Sequence, residues 1–422
     1  ILAITVPILI LLSIVLFIAA SPYFVRIQKA IDKVTQVLRE SLTGVRVIRA
    51  FIQEESEAKR FDEANKDMTV MIKKTGRIMS FMNPMISLIF DATYLGIYFY
   101  GFSLLNGTSA DKFTGTELSN VIVCAQYAMQ IMMSFMMFSI VFIMLPRASA
   151  CAQRVNELLK EKQLITDPKT PCQIPEIKGY IEFQNVTFIF PDATLPTLID
   201  ISFKCEPGQT TAIIGSTGSG KSSVINLIPR FYDVSCGKIL IDGVDVRKYG
   251  LKDLRNKIGF VPQKGVLFRG SVEENIKYGN EEISAEKINE CLKVAQATFV
   301  YDLDGGLNYQ IAQGGTNVSG GQRQRLCIAR AIAKNPEIYI FDDSFSALDY
   351  KTDKALRNAL EQYTKDATKI IVAQRVGTIM DADKIVVLDN GKMVAVGTHK
   401  ELLKKCKIYK EIALSQLSEE EL

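Results

Sequence analysis

Three short stretches hold the residues best suited to chemistry, and the first is built for phosphate. Gly215-Ser216-Thr217-Gly218-Ser219-Gly220-Lys221-Ser222, with Ser223 after it, fits the spacing G-x-x-x-x-G-K-[ST] and directly follows the run Thr211-Ala212-Ile213-Ile214. Glycines at this spacing let the backbone turn its N–H groups toward phosphate oxygens, and the start of the following helix adds a favourable dipole. Lys221 would reach the outer phosphates, and the Ser222 hydroxyl would ligate Mg²⁺. A strand, this loop and a helix in succession predict a nucleoside triphosphate site.

The second stretch, Asn317-Val318-Ser319-Gly320-Gly321-Gln322-Arg323-Gln324-Arg325, opens a predicted helix that runs to about Lys334. Ser319, Gly320 and Gly321 form another glycine-rich helix start with the same capacity for phosphate. One site does not need two such cradles. The third, Ile338-Tyr339-Ile340-Phe341-Asp342-Asp343, is an apolar strand ending in carboxylates. What the chain lacks narrows the chemistry further. His399 is its only histidine, which excludes Ser-His and Cys-His nucleophile pairs and histidine metal sites; by position it reads as a structural residue at a helix start. The 8 cysteines are scattered without C-x-x-C pairing, so they read as reduced and structural, with no zinc site. Catalysis must run on carboxylates, backbone and bound Mg²⁺. A net charge of +4, with no basic stripe interleaved with aromatics, gives no reason to expect nucleic acid as a partner.

The loop, the S-G-G-Q stretch and the carboxylate-ended strand, in this order, resemble the ATP-binding cassette (ABC) family, whose signature is S-G-G-Q and whose Walker B strand ends at Asp342. The resemblance covers essentially the whole chain. It implies ATP and Mg²⁺ as ligands and two such domains paired head to tail, with Ser319, Gly320, Gly321 and Gln322 completing the partner's ATP site. It also carries roles onto single positions. Phe190 stands where the family sets an aromatic ring against adenine, although a strand-end core residue is the plainer reading. Gln263, in Phe260-Val261-Pro262-Gln263, matches the Q-loop glutamine that touches Mg²⁺ and senses the membrane domain. Asp342 matches the Walker B magnesium ligand, and Ser346-Ala347-Leu348-Asp349 matches the D-loop.

Two positions depart from the family. Asp343 replaces the glutamate that serves as catalytic base, and Gln374, in Ile371-Val372-Ala373-Gln374-Arg375, replaces the switch histidine. Aspartate falls short of the water it must orient by roughly 1 Å, and a misplacement of that size can cost about a hundredfold in rate. Glutamine can hydrogen-bond a phosphate but cannot carry an imidazolium charge. With the phosphate loop and Asp342 intact, the pair predicts a site kept for binding while hydrolysis is slow. The signature is intact apart from Val318 where leucine is usual. The pattern is similar to one subunit of bacterial heterodimeric multidrug ABC exporters. It implies a second half-transporter with an intact glutamate and switch histidine, and amphipathic drugs or lipids as substrate. A regulator or ATP-gated pore, and a slow homodimeric transporter, are the alternatives.

The elements that must position these residues divide the chain in two. Residues 179–422 read as an α/β nucleotide-binding domain, with apolar runs at 239–241, 258–261, 338–341, 369–372 and 385–388 alternating with helical stretches, which predicts a largely parallel, covered sheet. Residues 163–178, with Pro168, Pro171 and Pro175, read as a linker. Before it, 48% hydrophobic content overall and a mean hydropathy of +0.12 point to lipid, and 1–162 reads as a partial transmembrane domain. Spans are predicted near 1–25, 78–110 and 118–145. The basic stretch 26–77 is cytoplasmic by the positive-inside rule, and the polar connection 106–117 should lie outside. Residues 44–52 predict a helix break and, by the resemblance, a coupling helix. Residues 1–25 would be the fourth span of a six-span half, so three spans are expected to precede them. A multi-pass protein of the plasma (inner) membrane follows, with its nucleotide-binding domain in the cytoplasm. Asp91, the one charge in its span, either lines a translocation cavity or pairs with a polar neighbour. The acidic residues 419–421 read as a solvated end.

Overall fold

The computed structural model describes residues 2–106, 115–161, 163–172 and 178–417. The middle of the 106–117 connection, Pro175 of the linker and the acidic end at 419–421 lie outside the described residues. The chain divides into two compact units, Ile1–Glu161 and Lys162–Leu422.

The first unit is helical. Helix α1 (Leu2–Thr43) continues through Pro7 and Pro22, so the first apolar run and the charged segment after it form one rod. Gly44 ends it, α2 (Val45–Ala50) follows, and the chain returns in α3 (Glu54–Ser80). Val37 of α1 and Ala64 of α3 are buried, and Arg60 reaches Glu40 at 2.6 Å. Both ends of that ion pair are exposed, so it adds little beyond the packing. Helices α4 (Met82–Asn106) and α5 (Gly115–Lys160) complete the unit. Gly101 lets α5 approach α4, because a Cβ there would lie 2.6 Å from Val121. Among the described residues, the stretch Glu54–Ser103 is long and apolar enough to cross a membrane by length and composition. Asp91 is exposed on α4.

The second unit carries strands β1 (Ile181–Phe188), β2 (Leu198–Cys205), β3 (Thr210–Gly215), β4 (Cys236–Ile241), β5 (Val244–Asp245), β6 (Ile258–Val261), β7 (Gly270–Ser271), β8 (Gln310–Ile311), β9 (Ile338–Asp342), β10 (Thr368–Val372), β11 (Lys384–Asp389) and β12 (Lys392–Gly397). Ten of them form one sheet in the order β5-β4-β1-β2-β12-β11-β3-β10-β9-β6. Only the run β11-β3-β10-β9-β6 is parallel throughout; β2, β1, β4 and β5 pair antiparallel, as do β11 and β12. This corrects the expectation of a largely parallel sheet. Two tight turns, Asp242-Gly243 (φ 52° and 81°) and Asn390-Gly391 (φ 45° and 75°), reverse the chain between β4 and β5 and between β11 and β12, whereas the antiparallel pairings of β1 with β2 and β4 do not arise from them. Positive φ at both central residues gives a turn whose twist matches antiparallel strands.

Helices α6 (Lys221–Leu227), α7 (Leu251–Asn256), α8 (Val272–Lys277), α9 (Ala285–Val294), α10 (Gly320–Ala333), α11 (Tyr350–Tyr363), α12 (Val376–Ile379), α13 (His399–Lys405) and α14 (Lys407–Leu414) cover the sheet. β3 is central and divides its side chains between two cores. Ala212 and Ile214 join Leu326, Ile328 and Phe341 on one face, and Ile213 joins Val224, Leu227 and Ile340 on the other. Burial on both faces fixes the strand's register, and with it the point where the phosphate loop begins.

Candidate nucleotide site

The loop from Gly215 to Gly220 leaves the carboxyl end of β3 and turns into α6. A Cβ at Gly215 would collide with the Leu388 carbonyl, and Gly220, the N-cap of α6, has φ 98°. Both positions therefore require glycine. Ser216, Thr217 and Gly218 are exposed at the tip, where a phosphate has access to their backbone, and Ser223 is half-buried in the first turn of α6. The buried Ser219 hydroxyl has no partner among the described residues. Lys221 folds back over the loop, its Nζ donating to the carbonyls of Gly215 and Ser216 at 2.8 Å each. Burial pushes its ammonium below the ordinary lysine value, against the pull of Asp343 and Asp342. A half-buried ammonium that donates to two carbonyls is poised to meet an anionic phosphate.

Ser222 Oγ donates to Asp342 Oδ1 at 3.3 Å, joining the start of α6 to the end of β9. Burial pushes the Asp342 carboxyl up, the Ser222 bond opposes this, and neighbouring Asp343 adds to the rise. A carboxylate raised by burial and a like charge gains from a cation. The hydroxyl and carboxylate are hard oxygen donors side by side, which fits Mg²⁺. No group of three His, Cys, Asp or Glu side chains gathers among the described residues, so a Mg²⁺ here would complete its shell with phosphate oxygens and water, as this ion prefers.

Asp343 stands one residue past β9 in the left-handed region, φ 47°, with its N–H donating to the Val372 carbonyl at 2.9 Å. Its Oδ2 accepts from Gln263 Nε2 at 3.2 Å and from Gln374 Nε2 at 3.0 Å. The structure thus brings together the two departures from the family and the Q-loop glutamine.

Ser319 caps α10 in a reciprocal box: its hydroxyl accepts from Gln322 N at 3.2 Å, and its own N–H donates to Gln322 Oε1 at 2.9 Å. Gly320 is open above, and Gly321 packs beneath Ala347. Buried Val318 and Asn317, which bonds Gln310 and Ala312, hold the loop before it. Asp349 caps α11 by accepting from Thr352 N at 3.0 Å. Phe190 is half-buried and meets Tyr232 edge to face, with centroids 5.3 Å apart.

Two further glutamines tie backbone segments together near the site. Gln324 Nε2 donates to the Pro262 carbonyl at 3.2 Å, linking α10 to the segment that carries Gln263. Gln416 bonds the backbone on both sides of Arg375. Gln416 lies in no motif, and Gln324, although inside the Asn317–Arg325 stretch, has no role assigned to it by spacing.

Residues 198–346 match the family model described as ABC transporter, and residues 1–135 match the ABC transporter transmembrane region. An uncharacterized ABC transporter ATP-binding protein of Mycobacterium bovis is 41% identical over 400 residues, which cover 94% of this chain and 67% of that protein. An ATP-dependent lipid A-core flippase of Saccharophagus degradans is 35% identical over 405 residues, covering 94% of this chain and 67% of the flippase. Among solved structures, a bacterial Atm1-family ABC exporter with ATP bound superposes with a TM-score of 0.85 at 27% identity, covering 99% of this chain and 72% of that one.

Proposed function

Because the chain belongs to the ABC transporter family, as an exporter-type half with a transmembrane region followed by an ATP-binding domain, we propose that it works as the slow-hydrolysing member of a heterodimeric pump. In this reading residues 215–223 and Asp342 clamp Mg-ATP, with Phe190 against the adenine. Ser319 to Gln322 complete a faster site whose glutamate and histidine belong to the partner. The substrate is an amphipathic small molecule; the likeness to a lipid A-core flippase supports a lipid. The membrane is the plasma (inner) membrane, with the ATP-binding domain in the cytoplasm.

The observation that carries the proposal is the state of the Asp343 carboxylate. One oxygen already accepts from two side-chain amides, Gln263 and Gln374. A general base must instead lie within hydrogen-bond reach of the attacking water. A side chain one methylene short, engaged by two amides and without a histidine beside it, favours holding the nucleotide over splitting it. Mg²⁺, when bound, neutralises phosphate charge; the chain's own part is to present Ser222 and Asp342 to it and to hold Lys221 over the loop.

The test compares ATP turnover in the assembled transporter after Asp343→Asn and after neutralisation of the partner's corresponding glutamate. The partner change should abolish turnover, while Asp343→Asn should leave most of it. Equal loss from both changes would refute the assignment, and robust turnover by this chain alone would favour a homodimer.

A further inference from the structure

We infer that Gln416 is a positioning residue for the nucleotide site, setting Gln374 against Asp343 from the carboxyl-terminal end of the domain. Gln374 lies in the short link between β10 and α12. The last sheet bond before it is Ala373 N to the Ile213 carbonyl, at 3.3 Å. α12 has only four residues, and its N-cap, Arg375, makes no side-chain cap. Gln416 supplies what the link lacks. Its Nε2 donates to the Gln374 carbonyl at 2.8 Å, and its Oε1 accepts from Val376 N at 2.8 Å. One carboxamide thus pairs with a carbonyl and with the N–H two residues on, as an adjoining strand would, and caps α12 in the process.

The clamp is itself anchored. Gln416 N donates to the Ala413 carbonyl at 3.0 Å, just beyond α14, whose Tyr409 and Ala413 are fully buried. The Gln416 side chain is exposed, so its truncation leaves no cavity. Fixing the backbone of residue 374 fixes where its side-chain amide can reach, and that amide donates to Asp343.

This inference rests on the nucleotide-site reading of Gln374, and the experiment separates the two. The off-rate of a fluorescent ATP analogue with Mg²⁺ is measured on the assembled transporter for Gln416→Ala, Gln416→Glu, Gln374→Ala and the double variant Gln416→Ala/Gln374→Ala. Loss of two hydrogen bonds to the link should speed release about three- to tenfold. Gln416→Glu keeps the shape and the acceptor for Val376 but loses the donor to Gln374, and should also release faster. The double variant should match Gln374→Ala alone, because both act through one side chain. Unchanged release for both Gln416 variants, or effects that multiply in the double variant, would overturn the proposal. If Gln374→Ala left release unchanged, the role of Gln374 would fall, and that of Gln416 with it.

Discussion

Asp343 and its two amide partners are where small chemical differences have the largest effect. Lengthening the side chain to glutamate adds about the 1 Å that separates it from the expected position of the water. The backbone there is left-handed at φ 47°, a region that aspartate tolerates better than most residues, so Asp343→Glu should cost about 1 kcal/mol of stability. Asp343→Glu combined with Gln374→His should nonetheless raise single-turnover ATP hydrolysis at this chain's own site by about ten- to a hundredfold. A rate unchanged from wild type would sink the slow-site reading. At this scale the sequence was informative: spacing marked the phosphate loop, and the family resemblance pointed to Asp342, Asp343 and Gln374, which the fold brings near one another. Gln324 and Gln416 were illegible, because a glutamine acting on backbone carbonyls leaves no pattern of spacing, and its partners lie 62 and 42 positions away.

Among the elements, the β4–β5 and β11–β12 reversals were readable from Asp242-Gly243 and Asn390-Gly391, both strong hairpin signals, whereas the antiparallel pairings of β1 with β2 and β4 carry no such signal. Apolar runs alone suggest parallel strands, and in these two places the turn chemistry decided the topology. The α13–α14 pair shows the complementary limit, since the sequence gives a helix start but not what it packs against. There His399 Nδ1 meets Tyr409 OH at 2.7 Å inside the domain, and buried Nε2 has no partner among the described residues. Burial pushes the imidazole below 6.5, with Asp381 opposing, and pushes the Tyr409 hydroxyl up to about 12. The folded state therefore favours the neutral ring, while the unfolded chain takes up a proton near 6.5. Stability from this source is complete above that value and is lost as pH falls toward the folded pKa. The thermal midpoint should drop on going from about pH 7.5 to about 5.5, and His399→Gln should flatten that drop, since no other histidine titrates in this window. Parallel curves for the two proteins would show that the ring is not held neutral.

For the whole molecule, the order of a lipid-facing unit before an ATP-binding unit is legible from hydropathy and motifs, whereas how ATP is made to matter to the membrane is not. Helix α2 supplies the best lead. It is short, carries Arg46 and Arg49 within it, and leads into a tip whose apolar side chains face outward: Phe51 is 72% exposed and Ile52 83%, with Val47 of the helix at 60%. Ile52 also has φ 53°, a conformation costing a β-branched residue about 1–3 kcal/mol, held by Gln53 N bonding the Ile48 carbonyl at 2.9 Å. Side chains of this size contribute about 1.5–3 kcal/mol each when buried, so a strained, exposed tip in a basic segment suits a docking contact better than a free loop. The resemblance implies that this segment is a coupling helix, and its docking can be tested in the assembled transporter. Phe51→Asp with Ile52→Asp should abolish the stimulation of ATP turnover by transported substrate, because a buried carboxylate without a partner opposes docking. Mg-ATP binding should be retained, because residues 215–223 and Asp342 belong to the other unit. Stimulation that survived both substitutions would remove α2 from the route between substrate and nucleotide, whereas loss of nucleotide binding would mean that the two units depend on each other for more than signalling.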